Sequence, residues 1–316
     1  MHLIVPFAGT VSEAGRHALQ TLALPHLDQL LARLSPVATL GSDEFSLNAP
    51  HELALAQAWG WPASADGASS ALPFAAHTAG VLGLPEAHSA AWGQLVPVHL
   101  DVGSEGISLT DPLALQLDEA ASRELLAIVR QLFESEGFAL HWIAPLQWLA
   151  THPSFDALPS ASIDRAIGRN LAPWLPDQRA ARLVRRLQNE VQMVLYTHAV
   201  NDRREAAGLP TVNSFWLSGC GRLPAAPTGP ALAATPTLDN RLRSPALAED
   251  WAAWCDAWRA LDAGPIADLQ RAGGNGRLTL CGERLAQTWA VQPRSWWQQL
   301  SAGWRKPATH NVLEAL

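Results

Sequence analysis

Short apolar segments set between longer stretches of helical periodicity restrict the fold of this chain more than any other feature. Leu3-Ile4-Val5, Phe138–Ile143, Val212–Leu217 and Leu278–Cys281 have the length of buried strands. From Leu95 onward, Val96, Val98 and Leu100 alternate with Pro97, His99 and Asp101, the period of a half-buried strand. Helical patterns lie between them. Thr10 and Glu13 have capping-box spacing, and the pattern runs in two pieces to Leu34, with Pro25 opening the second. Residues 41–91 are rich in Ala, Gly, Pro and Ser and read as loops with one helical insert near His51–Trp59. After a Gly103–Gly106 turn, a helix is expected from Asp118 to Glu136, with Leu125, Ile128/Val129 and Leu132 inward and Gly137 at its stop. A single long helix is expected over Asp177–Ala206, carrying Leu183, Leu187, Val191, Leu195 and His198 on one face and Arg182, Arg185, Arg186 and Asn189 toward the other. Residues 223–245 form a proline-rich surface excursion. Ser244-Pro245 then opens a helix whose stripe is Leu247, Trp251, Trp254, Trp258 and Leu261, and a Gly-rich turn at 273–276 precedes the last strand. Helices alternating with short strands, without an internal repeat, predict α/β layers.

With 316 residues, 48% apolar and 16% charged, the chain has material for two domains and a sizeable core. It contains no uncharged apolar run near the roughly 18–20 residues of a membrane span, and MHLIVPFAGT has neither a basic n-region nor a long h-region. A cytoplasmic location and no membrane partner are the expectation. Cys220, Cys255 and Cys281 form no CxxC motif and are expected as buried, reduced thiols. The net charge of −7 combines −11 over residues 1–140 with +4 over 141–316, a total that argues against nucleic acid as a partner. Lys306 is the only lysine, so no P-loop lysine exists and Schiff-base chemistry is confined to that position. The 14 tryptophans serve as the preferred large core residue, and those of 251–258 read as core or as a dimer interface, with ligand stacking as the alternative.

The densest group of unusual residues runs from His198 to Pro224. Asn201 and Arg204 stand one helical turn apart and Asn213 follows at a strand start, so three planar hydrogen-bonding groups can converge on one anion. The alternative is scaffold, with Gly208 as a helix stop, Asn201 and Asn213 satisfying loop backbone, and Arg204 paired with a carboxylate. The Arg182/Arg185/Arg186 face admits a phosphate or acidic partner as well as plain solvation. There is no Gly-x-Ser-x-Gly elbow and no Gly-x-Gly-x-x-Gly loop; His77-Thr78, His152 with Asp156, and Ser214 supply only separate pieces of a triad.

The pattern Asn201-x2-Arg204-x3-Gly208-x4-Asn213-x5-Gly219-x-Gly221-Arg222-x-Pro224 resembles a segment of archaeal-type cofactor-independent phosphoglycerate mutases, members of the alkaline phosphatase superfamily. Thr110-Asp111-Pro112 resembles the Thr-Asp-Pro-His segment of that family's inserted domain, and Leu24–Leu31 gives a fainter echo of a superfamily helix start. The chain also resembles bacterial RpfE-type regulatory proteins. The resemblance implies an alkaline-phosphatase-like α/β/α sandwich over residues 1–94 and 200–316, with a smaller α/β domain inserted at 95–199. It points to Asn201, Arg204, Asn213, Thr110 and Asp111 as ligand-binding residues, and to Gly208, Gly219 and Gly221 as the turns that position them.

The departures from the family matter as much. Its first strand ends in a metal-binding aspartate, one ligand of a two-metal centre that activates a Ser or Thr nucleophile. Here Pro6-Phe7 stands there, Leu113 replaces the histidine after Asp-Pro, and Ser218 replaces an arginine. No Asp-His dipeptide exists, and no two of the eleven histidines are closer than nine residues. The expectation is a degenerate, non-catalytic member without a metal site. It would act in regulation through a small phosphorylated or carboxylated ligand, a protein partner or a second copy of the chain. One alternative is an active phosphomutase or phosphatase whose Mn or Zn is gathered by Asp28, Asp111, His152, Asp239 or His310. The other is a purely structural interaction protein.

Overall fold

The computed structural model describes residues 1–41, 43–61, 71–104, 106–156, 158–175, 181–224, 235–272, 276–292 and 309–316. Along the chain the strands are β1 (His2–Val5), β2 (Ser35–Gly41), β3 (Trp92–Val98), β4 (Leu100–Gly103), β5 (Gly106–Leu109), β6 (Ala139–Ala144), β7 (Gln147–Thr151), β8 (Ser214–Gly221), β9 (Thr237–Leu238), β10 (Arg277–Cys281) and β11 (Leu285–Ala290). The helices are α1 (Glu13–Gln20), α2 (Pro25–Arg33), α3 (Pro50–Ala58), α4 (Phe74–Val81), α5 (Glu119–Glu134), α6 (Ile163–Ala166), α7 (Ala181–Tyr196), α8 (Ala199–Ala206), α9 (Arg243–Leu247), α10 (Trp251–Leu261), α11 (Ala267–Ala272) and α12 (Thr309–Glu314). The fold is α/β, as the alternation of segments predicts. No helix among the described residues is long and apolar enough to cross a membrane.

The chain divides into two compact units, residues 1–68 with 226–316, and residues 69–225. The first holds a five-stranded sheet in the order β2-β11-β10-β1-β9. β1 runs parallel to β9 and β10, while β10, β11 and β2 are antiparallel. Strand alternation sends Leu3, Val5, Leu278 and Leu280 to one face, where they share a core with Leu27, Leu30, Trp254, Trp258 and Leu269 of α2, α10 and α11. Ile4, Cys281 and Ala286 face the other way, onto Ala54 of α3. Helices therefore cover both faces of this sheet, and Trp254 and Trp258, each fully buried, are core residues. The buried Asp262 carboxylate follows α10 and accepts the backbone N–H groups of His26 and Leu27, supplying the N-terminal cap that Leu24 cannot give α2.

The second unit holds an antiparallel sheet in the order β6-β7-β3-β8 and the separate β4-β5 hairpin. α5 and α7 press Leu125, Val129, Phe133, Leu187, Val191 and Leu195 onto Leu95, Trp148, Phe215 and Leu217. The opposite face takes Ala75, Ala76 and Ala79 of α4 against Trp92 and Leu149. Because β8 pairs along the whole of β3, from Val98 with Ser214 to Trp92 with Gly221, the strand after the Asn/Arg cluster belongs to this unit. The boundaries expected at 94/95 and 199/200 thus move to 68/69 and 225/226.

Several elements differ from their expected form. α1 is capped by Ser12, whose side chain accepts the Gly15 N–H, and not by Thr10. The long helix breaks into α7 and α8 at Thr197-His198, where His198 becomes the cap of α8 by accepting the Val200 N–H at Nδ1; its proposed beginning, residues 177–180, lies outside the described residues. The tryptophan helix starts at Trp251, capped by Asp250, after the separate α9. Residues 273–275 of the glycine turn and 225–234 of the proline-rich excursion also lie outside the described residues. All three cysteines are buried and unbridged, and burial pushes the Cys220 thiol up to about 12.

Candidate functional site

α8 and the start of β8 place Asn201, Arg204 and Asn213 in the second unit. Each spends its polar atoms on backbone. Asn201, 5% exposed, donates from Nδ2 to the carbonyls of Leu195 and Val212 at 2.9 Å each, and its Oδ1 accepts the Val212 N–H at 2.9 Å. Arg204, 6% exposed, donates from Nε to the Pro210 carbonyl at 2.8 Å and from Nη2 to that of Leu115 at 2.5 Å. Burial lowers the guanidinium below its ordinary pKa, with the Asp118 charge opposing. Asn213 turns away to Leu100, taking its N–H and giving to its carbonyl, both at 2.8 Å. These bonds run to Leu195, to Pro210 and Val212, to Leu115 and to Leu100, so the three groups form a scaffold that ties α7, α8, the chain entering β8, and β4 with the turn after the hairpin together.

Thr110 and Asp111 follow the hairpin. The Thr110 N–H donates to the His99 carbonyl at 3.1 Å, and Asp111 accepts the Leu113 N–H at 3.0 Å, opening a 3-10 turn at Pro112–Leu115. Gly208 ends α8 in the left-handed region at φ +70°. Gly219 and Gly221 lie in β8, where a Cβ at Gly219 would sit 3.1 Å from the Ala75 nitrogen of α4; the glycine lets α4 lie close on the sheet. On α7, Arg186 pairs with Glu136 at 2.5 Å and with Glu190 at 3.5 Å.

In the first unit, β9, β1 and β10 end on one edge, the place where parallel sheets open a ligand crevice. Here the edge is closed by the chain itself. Thr10 Oγ1 donates to Glu283 Oε1 at 3.2 Å, and the Val11 N–H donates to the same oxygen at 3.0 Å. The Ser12 N–H donates to Thr10 Oγ1 in turn, and Thr10 is only 6% exposed. Residues 313–316 cover the loops after β1 and β10. A Cβ at Gly282 would lie 2.6 Å from Leu316 Cβ, one at Gly9 would collide with the Leu313 carbonyl, and the Leu316 carbonyl accepts from Arg284 and Leu285 at 3.0 and 2.7 Å. Beyond β9, Asp239 pairs with Arg241 at 2.8 Å.

A two-metal phosphoryl-transfer centre needs several convergent carboxylate and imidazole donors. The described residues at this edge do not fit one: the strand end is Pro6-Phe7, and the carboxylate that reaches Thr10 accepts from a hydroxyl and a backbone N–H. Of the other proposed ligands, Asp28 accepts the Thr309 hydroxyl, Asp111 caps a turn, and His310 is exposed on α12. Among the described residues no three His, Cys, Asp or Glu side chains come together. Among the described residues, the His152, Asp156 and Ser214 pieces of a triad are not assembled either. His152 Nδ1 is bonded to Ser154 Oγ at 2.7 Å and its N–H at 3.1 Å, Asp156 is paired with Arg222 at 2.8 Å, and Ser214 is buried in β8.

Sequence reasoning missed one arrangement in the second unit. At the sheet end where β7 and β8 stop and β3 starts, a polar cleft of about 370 Å³ is lined by Glu86, Ser89, Gly137, Thr151, His152 and Arg222, with Ala90, Ala91 and Pro153. His152 and Arg222 were each in view, as a triad fragment and as part of the Gly221-Arg222 pattern. Only the register of β3 with β7 and β8 joins them.

No family model and no curated protein sequence matches the chain. Among solved structures, it is similar to the PH0037 protein from Pyrococcus horikoshii, with 12% identity, 92% of this chain and 87% of that one covered, and a TM-score of 0.46. It is also similar to the cofactor-independent phosphoglycerate mutase from Thermoplasma acidophilum, with 13% identity, 100% and 97% covered, and a TM-score of 0.37.

Proposed function

We propose that this chain is a phosphoglycerate-mutase-like protein without phosphoryl-transfer activity, one that acts in regulation by binding a small phosphorylated or carboxylated ligand or a protein partner. One observation carries the reading. The edge where the parallel strands of the first unit end, and where a phosphoryl-transfer site would have to open, is filled by Leu313–Leu316 and by the Glu283 carboxylate lying on Thr10 and Val11. A negative side chain seated there competes with any phosphoryl group for the same donors. The resemblance of the Asn201–Pro224 segment supplies the family, and Pro6-Phe7 supplies the departure from its chemistry.

The test is elemental analysis of tag-free protein purified with Mn²⁺ and Zn²⁺ and then desalted, combined with assays on phosphomonoesters. The expected result is no stoichiometric metal and no turnover above buffer. Chelator-sensitive turnover with about two metals per chain would overturn the reading and establish an active phosphomutase or phosphatase.

A further inference from the structure

The cleft at the end of the β6-β7-β3-β8 sheet has walls that are fixed and a floor that is polar. Arg222 donates from Nε to Asp156 Oδ1 at 2.8 Å and from Nη1 to the Ser89 carbonyl, which holds the plane of its guanidinium. Its Nη2 makes no hydrogen bond among the described residues, and neither does the Thr151 hydroxyl. The carbonyl that Arg222 meets is itself positioned. Glu86 adopts the left-handed region at φ +59°, uncommon for a non-glycine residue, and its carbonyl accepts the N–H groups of Ser89 and Ala90 at 3.0 and 2.9 Å. Opposite, His152 stacks on Phe138 with ring centroids 4.0 Å apart and 18° between planes. The Ser154 N–H donates to its Nδ1, so the neutral ring carries its proton at Nε2.

We propose that this cleft binds a small carboxylate-bearing molecule, with the Arg222 guanidinium as the seat of the carboxylate. A guanidinium pinned at two nitrogens presents its remaining edge in the planar fork that matches a carboxylate. The volume falls within the range of small-molecule sites. Charge favours the smaller anion: Asp156 is paired with Arg222 and Glu86 lies in the lining, so a singly charged carboxylate meets about half the repulsion of a phosphate dianion. The inference rests on the reading that the chain binds a small anionic ligand, and it chooses the carboxylate from the two classes that reading allows.

The test follows the His152 ring by NMR, assigned with His152→Gln, during titration with acetate and glycine against sodium chloride at equal ionic strength. A saturable shift is expected. It should weaken by about tenfold in Arg222→Gln, the loss of one charge-assisted contact, and persist in Asp156→Asn. Both side chains are exposed, and dispersion of the remaining resonances reports that the variants stay folded. A shift that matches chloride, one indifferent to Arg222→Gln, or tighter binding of inorganic phosphate than of acetate would overturn the proposal. Binding insensitive to Arg222→Gln would sink the cleft alone, whereas chelator-sensitive phosphomonoester turnover would sink the non-catalytic reading alone.

Discussion

The side-chain amide of Asn213 reproduces a strand pairing with the backbone of Leu100, its Oδ1 accepting the Leu100 N–H and its Nδ2 donating to the Leu100 carbonyl, both at 2.8 Å. The backbone N–H of the same residue donates to the Val98 carbonyl at 3.1 Å. One asparagine thereby extends the β3-β8 pairing past His99, where the chain leaves the sheet for the β4-β5 hairpin.

Asn213→Ala removes both bonds and leaves a donor and an acceptor of Leu100 to water. A loss of about 2 kcal/mol is expected at roughly 1 kcal/mol per bond, read as a lower urea midpoint with unchanged slope. Asn213→Asp retains the acceptor and should lose less. Equal stability of all three proteins would show that the amide is not what holds the hairpin.

Arg204→Lys tests the scaffold reading of the Asn/Arg cluster. Lysine keeps the charge but cannot span the Pro210 and Leu115 carbonyls as the guanidinium does at 2.8 and 2.5 Å. Leaving a buried carbonyl without its donor costs about 1–3 kcal/mol, so a drop of that size is expected in chemical denaturation. Acetate binding, read at His152, should be unchanged. Anion binding that disappears with stability intact would instead make Arg204 a ligand contact.

Much of this arrangement was written in periodicity, and what was missed has physical causes. α5 is visible through the period of its one buried face, and β1, β6, β8 and β10 as short apolar runs, of which β1, β8 and β10 are buried on both faces. β2 escaped notice as Ser-Pro-Val-Ala-Thr-Leu-Gly, an edge strand with a mostly exposed pattern. β7 and β11, pairing with near neighbours in the sheets, carry too few β-branched residues to stand out, and the Ala-rich α4 has no polar face to mark it. The break at Thr197-His198 is invisible to periodicity because His198 continues the Leu187, Val191, Leu195 stripe; its side chain caps the next helix instead. For the candidate sites, spacing found Asn201, Arg204 and Asn213 but not the direction of their amides. The carboxylate on Thr10 comes from Glu283, 273 residues away, a distance that no local motif spans.

His2 gives the fold a pH dependence. It is 5% exposed on β1, with Nε2 bonded to Thr279 Oγ1 at 2.8 Å, and burial followed by the Arg277 charge lowers its pKa to about 4. In the unfolded chain the imidazole titrates near 6.5, so between those values the unfolded state binds more protons. Stability should therefore be level above pH 6.5 and fall as pH drops toward 4, by up to about 3 kcal/mol from this group. His2→Gln, which keeps a polar group beside Thr279, should flatten that part of the profile. An unchanged slope between pH 7 and pH 4.5 would assign the dependence to other groups.

Gly282→Ala probes the closure of the first unit's edge. The added methyl would stand 2.6 Å from Leu316 Cβ and 2.7 Å from the Leu316 carbonyl carbon, so either the turn after β10 or residues 313–316 must shift. Overpacking of this kind costs about 1–3 kcal/mol. Because Leu313 and Leu316 belong to the core shared by α2, α10 and α11, part of the loss should appear as faster amide hydrogen exchange in α12. If closure alone suppresses phosphoryl transfer, the variant should gain metal-dependent phosphomonoester turnover. The expected result is loosened packing with no turnover, because freeing the edge leaves Pro6-Phe7 and the Glu283 carboxylate in place and brings no further carboxylate or imidazole to it.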